Sequence, residues 1–191
     1  MRFRNVVFAL LVCAGGATLC FRTAQAQAPA QSTPRVQTQK TGAAGPQVFG
    51  SLAQVMRGIL FPNSNVIFFA QSNNPADVKP AADPSASLDP LSSTYGGWTA
   101  VENSSIALAE ASNLLIIPGR KCSNGRAVPL NNPDWAKFVQ GLRQASMMAY
   151  RAAQSKNQDK MLDAADAITT GCMNCHDRYR DKPGGVAGRC I

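Results

Sequence analysis

The sequence predicts an all-α domain, an antiparallel four-helix bundle over residues 47–191. Three observations point there. Four segments repeat apolar residues at spacings of three and four, the period of one helical face. Pro, Gly and Asn punctuate the chain between those segments. No stretch alternates apolar and polar residues over the length of a strand. With 191 residues, 45% of them apolar, the chain is long enough for one sizeable core and short for two.

Two segments precede that domain. Residues 1–26 read as a secretory signal peptide. Arg2 and Arg4 form a basic start, residues 6–19 are apolar, and Ala24-Gln25-Ala26 is a small-x-small cleavage site. Cys13 and Cys20 follow Val12 and Leu19, not the small residues that precede a lipid-modified cysteine. The apolar run is shorter than the roughly 20 residues of a spanning helix, so cleavage near Ala26 leaves no stable membrane span and a periplasmic protein is expected. Residues 27–46 are rich in Gln, Thr, Pro and Ala without apolar period and read as a flexible leader.

The first helix is expected from about Gln47 to Phe61, with Phe49, Leu52, Met56 and Ile59 on one face. Pro62-Asn63 ends or bends it, and residues 65–71 either continue it or pack as an apolar loop. Residues 72–97 form a long irregular connection of the kind that covers something or serves a function. The second helix runs from about Trp98 to Ile117, with Val101, Ser105, Leu108, Ser112 and Leu115 inward, and Pro118-Gly119 stops it. Asn132 is expected to cap the third, with Pro133 at its first position and Asp134 at its positive end. Trp135, Phe138, Leu142, Ala145 and Ala149 share a side of that helix. The fourth extends from about Asn157 to Tyr179, its stripe formed by Met161, Ala165, Ile168, Cys172, Cys175 and Tyr179.

The last stripe contains Cys172-Met173-Asn174-Cys175-His176, the Cys-x-x-Cys-His signature of covalent haem c attachment. Two cysteines at that spacing meet the two haem vinyl groups, and the histidine follows as the proximal iron ligand. A zinc site would need further ligands, and His176 is the only histidine in the chain. A thiol oxidoreductase would place its Cys-x-x-Cys in a βαβ unit, which an all-helical chain lacks. One covalent haem c is therefore expected, bound through Cys172, Cys175 and His176. The sixth ligand is a methionine sulfur, a lysine, or nothing. Met56 on the first helix either fills this role or packs in the core, and Arg57 beside it is placed to meet a haem propionate.

After cleavage Cys122 and Cys190 remain, and in an oxidising compartment a disulfide between them is expected over free thiols or an intermolecular bridge. Losing Arg2, Arg4 and Arg22 with the leader lowers the formal charge from +8 to +5. Such a charge permits acidic redox partners or an anionic membrane surface. The basic residues are scattered without a clustered basic-aromatic surface, so nucleic acid is not expected. No catalytic triad, acid/base carboxylate pair or phosphate loop is evident, and the chain is not read as an enzyme.

Cys172-x-x-Cys175-His176-x-x-Tyr179-Arg180 near the C-terminus of an exported helical chain resembles the class II c-type cytochromes, the cytochrome c′ family. The Val55-Met56-Arg57 segment resembles the place where low-spin members supply a methionine ligand. The resemblance implies a cytochrome c′-like domain over 47–191, with haem bound through the last helix and Tyr179 part of the haem-binding motif. It implies a monohaem protein carrying single electrons between periplasmic donor and acceptor proteins, with a homodimer as one oligomeric state. A five-coordinate haem protein binding NO or CO is the alternative, and a haem subunit of a periplasmic oxidoreductase complex is a third reading. The long 62–97 connection, the loop around Cys122 and the Cys122/Cys190 pair depart from the family pattern.

Overall fold

The computed structural model describes residues 45–181 together with residues 189 and 190. The signal peptide and residues 27–44 of the leader lie outside the described residues. Four long helices carry the fold, and the described residues contain no strand beyond a single bridge between Lys121 and Ala127. Helix α1 covers 52–72 in three pieces: Leu52–Val55, a π turn Met56–Leu60, and Phe61–Ser72. Helix α2 is Trp98–Leu114, α3 is Pro133–Gln154, and α4 is Gln158–Cys175, continued by a second π turn, His176–Arg180. Each helix packs on the next, and α4 closes the ring against α1. No helix is long and apolar enough to cross a membrane among the described residues.

Helix α1 departs most from expectation. It begins at Leu52, five residues later than expected, because Ser51 and Gln54 form a capping box: the Ser51 hydroxyl accepts from the Gln54 N–H at 3.2 Å, and the Gln54 side chain accepts from the Ser51 N–H at 2.8 Å. Phe49 precedes the helix and is 93% exposed. Pro62 neither ends the helix nor turns residues 65–71 into a loop. The π turn moves the Phe61 N–H onto the Met56 carbonyl, five residues back. Pro62 thus enters at a break in the α-helical ladder, where its missing N–H costs least. Leu52 and Val55 are buried before the turn, and the extra residue rotates the inward face after them, so Leu60, Ser64 and Ile67 are buried while Ile59 is exposed.

The other helices follow their periods. Val101, Ser105, Leu108 and Ser112 of α2 are buried, as is Leu115 just beyond it. On α3, Trp135, Leu142, Ala145 and Ala149 are buried, with Phe138 half-buried. On α4, Met161, Ala165 and Ile168 are fully buried. Asn157 caps α4 by accepting from the Lys160 N–H at 2.8 Å. Asn132 stands at the N-cap of α3 but makes no side-chain cap bond; its amide nitrogen donates to the Tyr179 hydroxyl at 3.3 Å.

Residues 73–97 form three single 3₁₀ turns, each opened by an Asn-Pro or Asp-Pro pair. Asn74, Asp83 and Asp89 each accept from the N–H two residues on, and proline occupies the position between. Pro75 and Leu91 are buried and pack this segment onto α2. The connection between α2 and α3 is tied down by Arg120, which is 4% exposed. Its Nε donates to the Leu114 carbonyl at 2.9 Å, a cation on the negative end of α2, and its Nη1 donates to the Gly50 carbonyl at 2.7 Å. The Leu52 N–H donates to the Lys121 carbonyl at 2.8 Å, fixing this connection to the start of α1.

Candidate functional site

A cavity of about 370 Å³ opens at one end of the bundle. The start of α1, the second half of α2, the first half of α3 and the end of α4 line it, so successive helices bring opposite ends to it, as in an antiparallel bundle. Its apolar walls come from Leu52, Leu60, Leu108, Trp135, Leu142 and Ile168. Cys172, Cys175 and His176 line it from α4 and its π turn, and Met56 lines it from α1. Arg57, Arg180, Tyr179 and Cys190 also reach it. A smaller apolar recess beside it is bounded by Met56, Trp135, Phe138, Cys172, Cys175 and His176 among others.

Met56 and His176 each stand first in a π turn. Such turns re-aim a side chain out of the α-helical stripe and concentrate at functional sites. The other methionines among the described residues lie elsewhere: Met161 is fully buried in the core, Met148 and Met173 are 40% and 49% exposed, and Met147 is not among the lining residues. No lysine lines the cavity. Trp135 is 2% exposed, lines the cavity, and donates from Nε1 to the Leu115 carbonyl at 3.1 Å.

Burial sets the protonation of the reactive groups. It pushes the Cys175 thiol up to about 11, with the neighbouring Cys172 and Asp134 adding to the shift. Burial raises Cys172 as well. Burial also lowers the His176 imidazole, and Arg180 lowers it further. The cavity therefore holds two neutral thiols and a neutral imidazole, the form of histidine that binds metal.

The chain matches no protein-family model, no curated protein and no solved structure. The chemistry of the cavity has to be read from its own residues. Among the described residues no group of three or more His, Cys, Asp or Glu side chains is placed to hold a bare metal ion. The donors are instead two thiols, one imidazole and one thioether around apolar space. Its volume falls within the roughly 300–1,000 Å³ of small-molecule and cofactor sites. That donor set and those walls suit an apolar cofactor, and Arg57 and Arg180 are the two cationic side chains that line the space.

Cys122 and Cys190 form a disulfide with Cα atoms 5.0 Å apart. Cys122 is buried, Cys190 lines the cavity, and the Cys190 N–H donates to the Tyr179 carbonyl at 2.9 Å. The bridge thus ties the end of the chain to the wall beside the second π turn. None of residues 72–97 lines the cavity, so the long connection does not cover it. Of the arginines near the signature, Arg178 pairs with Asp134 at 3.0 Å rather than lining the cavity, and Arg180 pairs with Asp181 at 2.7 Å. Sequence reading missed the buried Arg120 and the role of Asp134. A single arginine or aspartate carries no signal of a partner 44 to 70 residues away.

Proposed function

We propose that the protein is an exported monohaem c-type cytochrome that carries single electrons between periplasmic donor and acceptor proteins. The observation that carries this reading is the convergence of Cys172, Cys175, His176 and Met56, from the two ends of the sequence, on one apolar cavity. Cys172 and Cys175 hold the cofactor by thioether bonds, and His176 ligates its iron. Met56 is the sixth ligand. Arg57 and Arg180 meet the propionates, and Tyr179 closes the wall beside His176. Leu52, Leu108, Leu142 and Ile168 line the cavity and exclude water, which would set the potential of a bound haem through burial. Bound haem supplies the one-electron couple between ferric and ferrous iron. The Cys122–Cys190 bridge supports export, since disulfides persist in oxidising compartments.

The test is the absorption spectrum of the full chain matured in an exporting, haem-attaching host. Six-coordinate Met56 ligation gives a sharp low-spin ferrous spectrum indifferent to CO. Met56→Ala then yields a high-spin spectrum that shifts at once with CO. A wild-type protein already high-spin and CO-reactive would replace the carrier with a gas-binding protein. An unchanged Met56→Ala spectrum would remove Met56 from the iron.

A further inference from the structure

A histidine that binds metal is usually oriented by a hydrogen bond from its second ring nitrogen to a carboxylate, a carbonyl or water. Among the described residues the His176 ring is surrounded by burial and by the charges of Arg180, Asp181 and Asp177, with no hydrogen-bond partner. Its direction is therefore set by the backbone that carries it, and that backbone is one π turn at the end of α4. A lone turn at a helix end frays unless something holds it.

The structure supplies a clamp from α3. Asp134, in the first turn of α3, accepts from the Arg178 Nε at 3.0 Å with one carboxylate oxygen. Its other oxygen accepts a short hydrogen bond from the Tyr179 hydroxyl. Asn132 donates to the same hydroxyl at 3.3 Å. The Tyr179 ring packs edge-on against Trp135 at 4.9 Å and Phe138 at 6.3 Å between centroids. The Arg178 side chain is 54% exposed, so that ion pair contributes little. The hydroxyl bond is part-buried and charge-assisted, and it carries the clamp. The Tyr179 hydroxyl, and then Arg178, lower the Asp134 carboxyl from its ordinary value, so it is ionised at neutral pH.

We infer that Asp134 is a positioning residue for His176, gripping the π turn through the Tyr179 hydroxyl and so aiming the imidazole into the cavity. The inference rests on the haem reading only for what the imidazole meets. Among the described residues it is the ring's backbone, held from the neighbouring helix, that fixes its direction.

The experiment pairs hydrogen exchange over residues 176–180 with the ferrous spectrum, on the full haem-loaded chain and on the same chain without haem. Asp134→Asn and Tyr179→Phe are expected to speed exchange of the turn amides about tenfold, the scale of one lost charge-assisted hydrogen bond. Amides of the Met161 region stay unchanged, and the spectrum gains a high-spin component. Arg178→Gln leaves both readouts within about twofold of wild type. Wild-type exchange and spectrum in Tyr179→Phe, which keeps the ring and loses only the hydroxyl, would overturn the inference even if Asp134→Asn failed to fold. If the chain carries no haem, the exchange result alone decides the clamp, and the loss counts against the functional reading instead.

Discussion

The two ends of the bundle are built from different residues. At the closed end the helices meet through small side chains: Ala70, Ala149, Ala152, Ala153, Ala164 and Ala165 are almost wholly buried around Met161 and Ile67. At the cavity end the inward residues are large, Leu52, Leu60, Trp135, Leu142 and Ile168, yet they surround open space. Both π turns, the disulfide and the buried Arg120 are at this end. Small residues allow close helix approach and a filled core. Large residues around an unfilled space form a socket, and a socket needs outside fastenings because its own packing does not close it. The contrast explains why the polar and covalent ties gather around the cavity.

The largest expected effect comes from cutting one fastening. Replacing both Cys122 and Cys190 with alanine frees a loop spanning 68 residues, which on the chain-entropy account lowers stability by about 4 kcal/mol. Urea unfolding of the full chain measures this. A loss below about 1 kcal/mol would mean that the tail adds nothing to the socket wall.

A pair of core substitutions tests the contrast itself. In the haem-free chain Met161→Ala opens a hole in a filled core and should cost near the top of the roughly 2–5 kcal/mol range for such changes. Leu52→Ala only widens a space already present and should fall near the bottom of that range. With haem in place the Leu52→Ala cost rises toward that of Met161→Ala. Equal costs in the haem-free chain would show that the cavity end packs as tightly as the other.

The smallest effect is expected at Gly141, inside α3, where an added Cβ meets nothing within 4 Å. Gly141→Ala should stabilise the chain by about 0.5–1 kcal/mol, read as a small rise in Tm. A fall in Tm would show that this helix face needs the space.

The inward faces of α2, α3 and α4 were legible in the sequence because their buried residues hold an unbroken α-helical period. The signature residues were legible for the same reason, since Cys172 and Cys175 continue the stripe of Met161, Ala165 and Ile168. Helix α1 was misread at the π turn. A period argument assumes 3.6 residues per turn, and one wider turn moves every later residue around the helix. Ile59 was therefore placed inside and Leu60 missed, while Phe49 was misplaced because the capping box starts the helix only at Leu52. Met56 was found because it lies before the offset accumulates. The Asp134–Tyr179 clamp joins residues far apart in sequence and leaves no local mark, so only the folded chain reveals it.

On the proposed function, the cavity surrounds a covalently attached haem. Mass spectrometry of the full chain, produced in an exporting, haem-attaching host, tests it most directly. One haem of added mass is expected on the peptide that contains Cys172 and Cys175, with Cys122 and Cys190 joined in a separate peptide pair. Unmodified Cys172 and Cys175, both open to alkylation in a folded protein without visible absorbance, would contradict it.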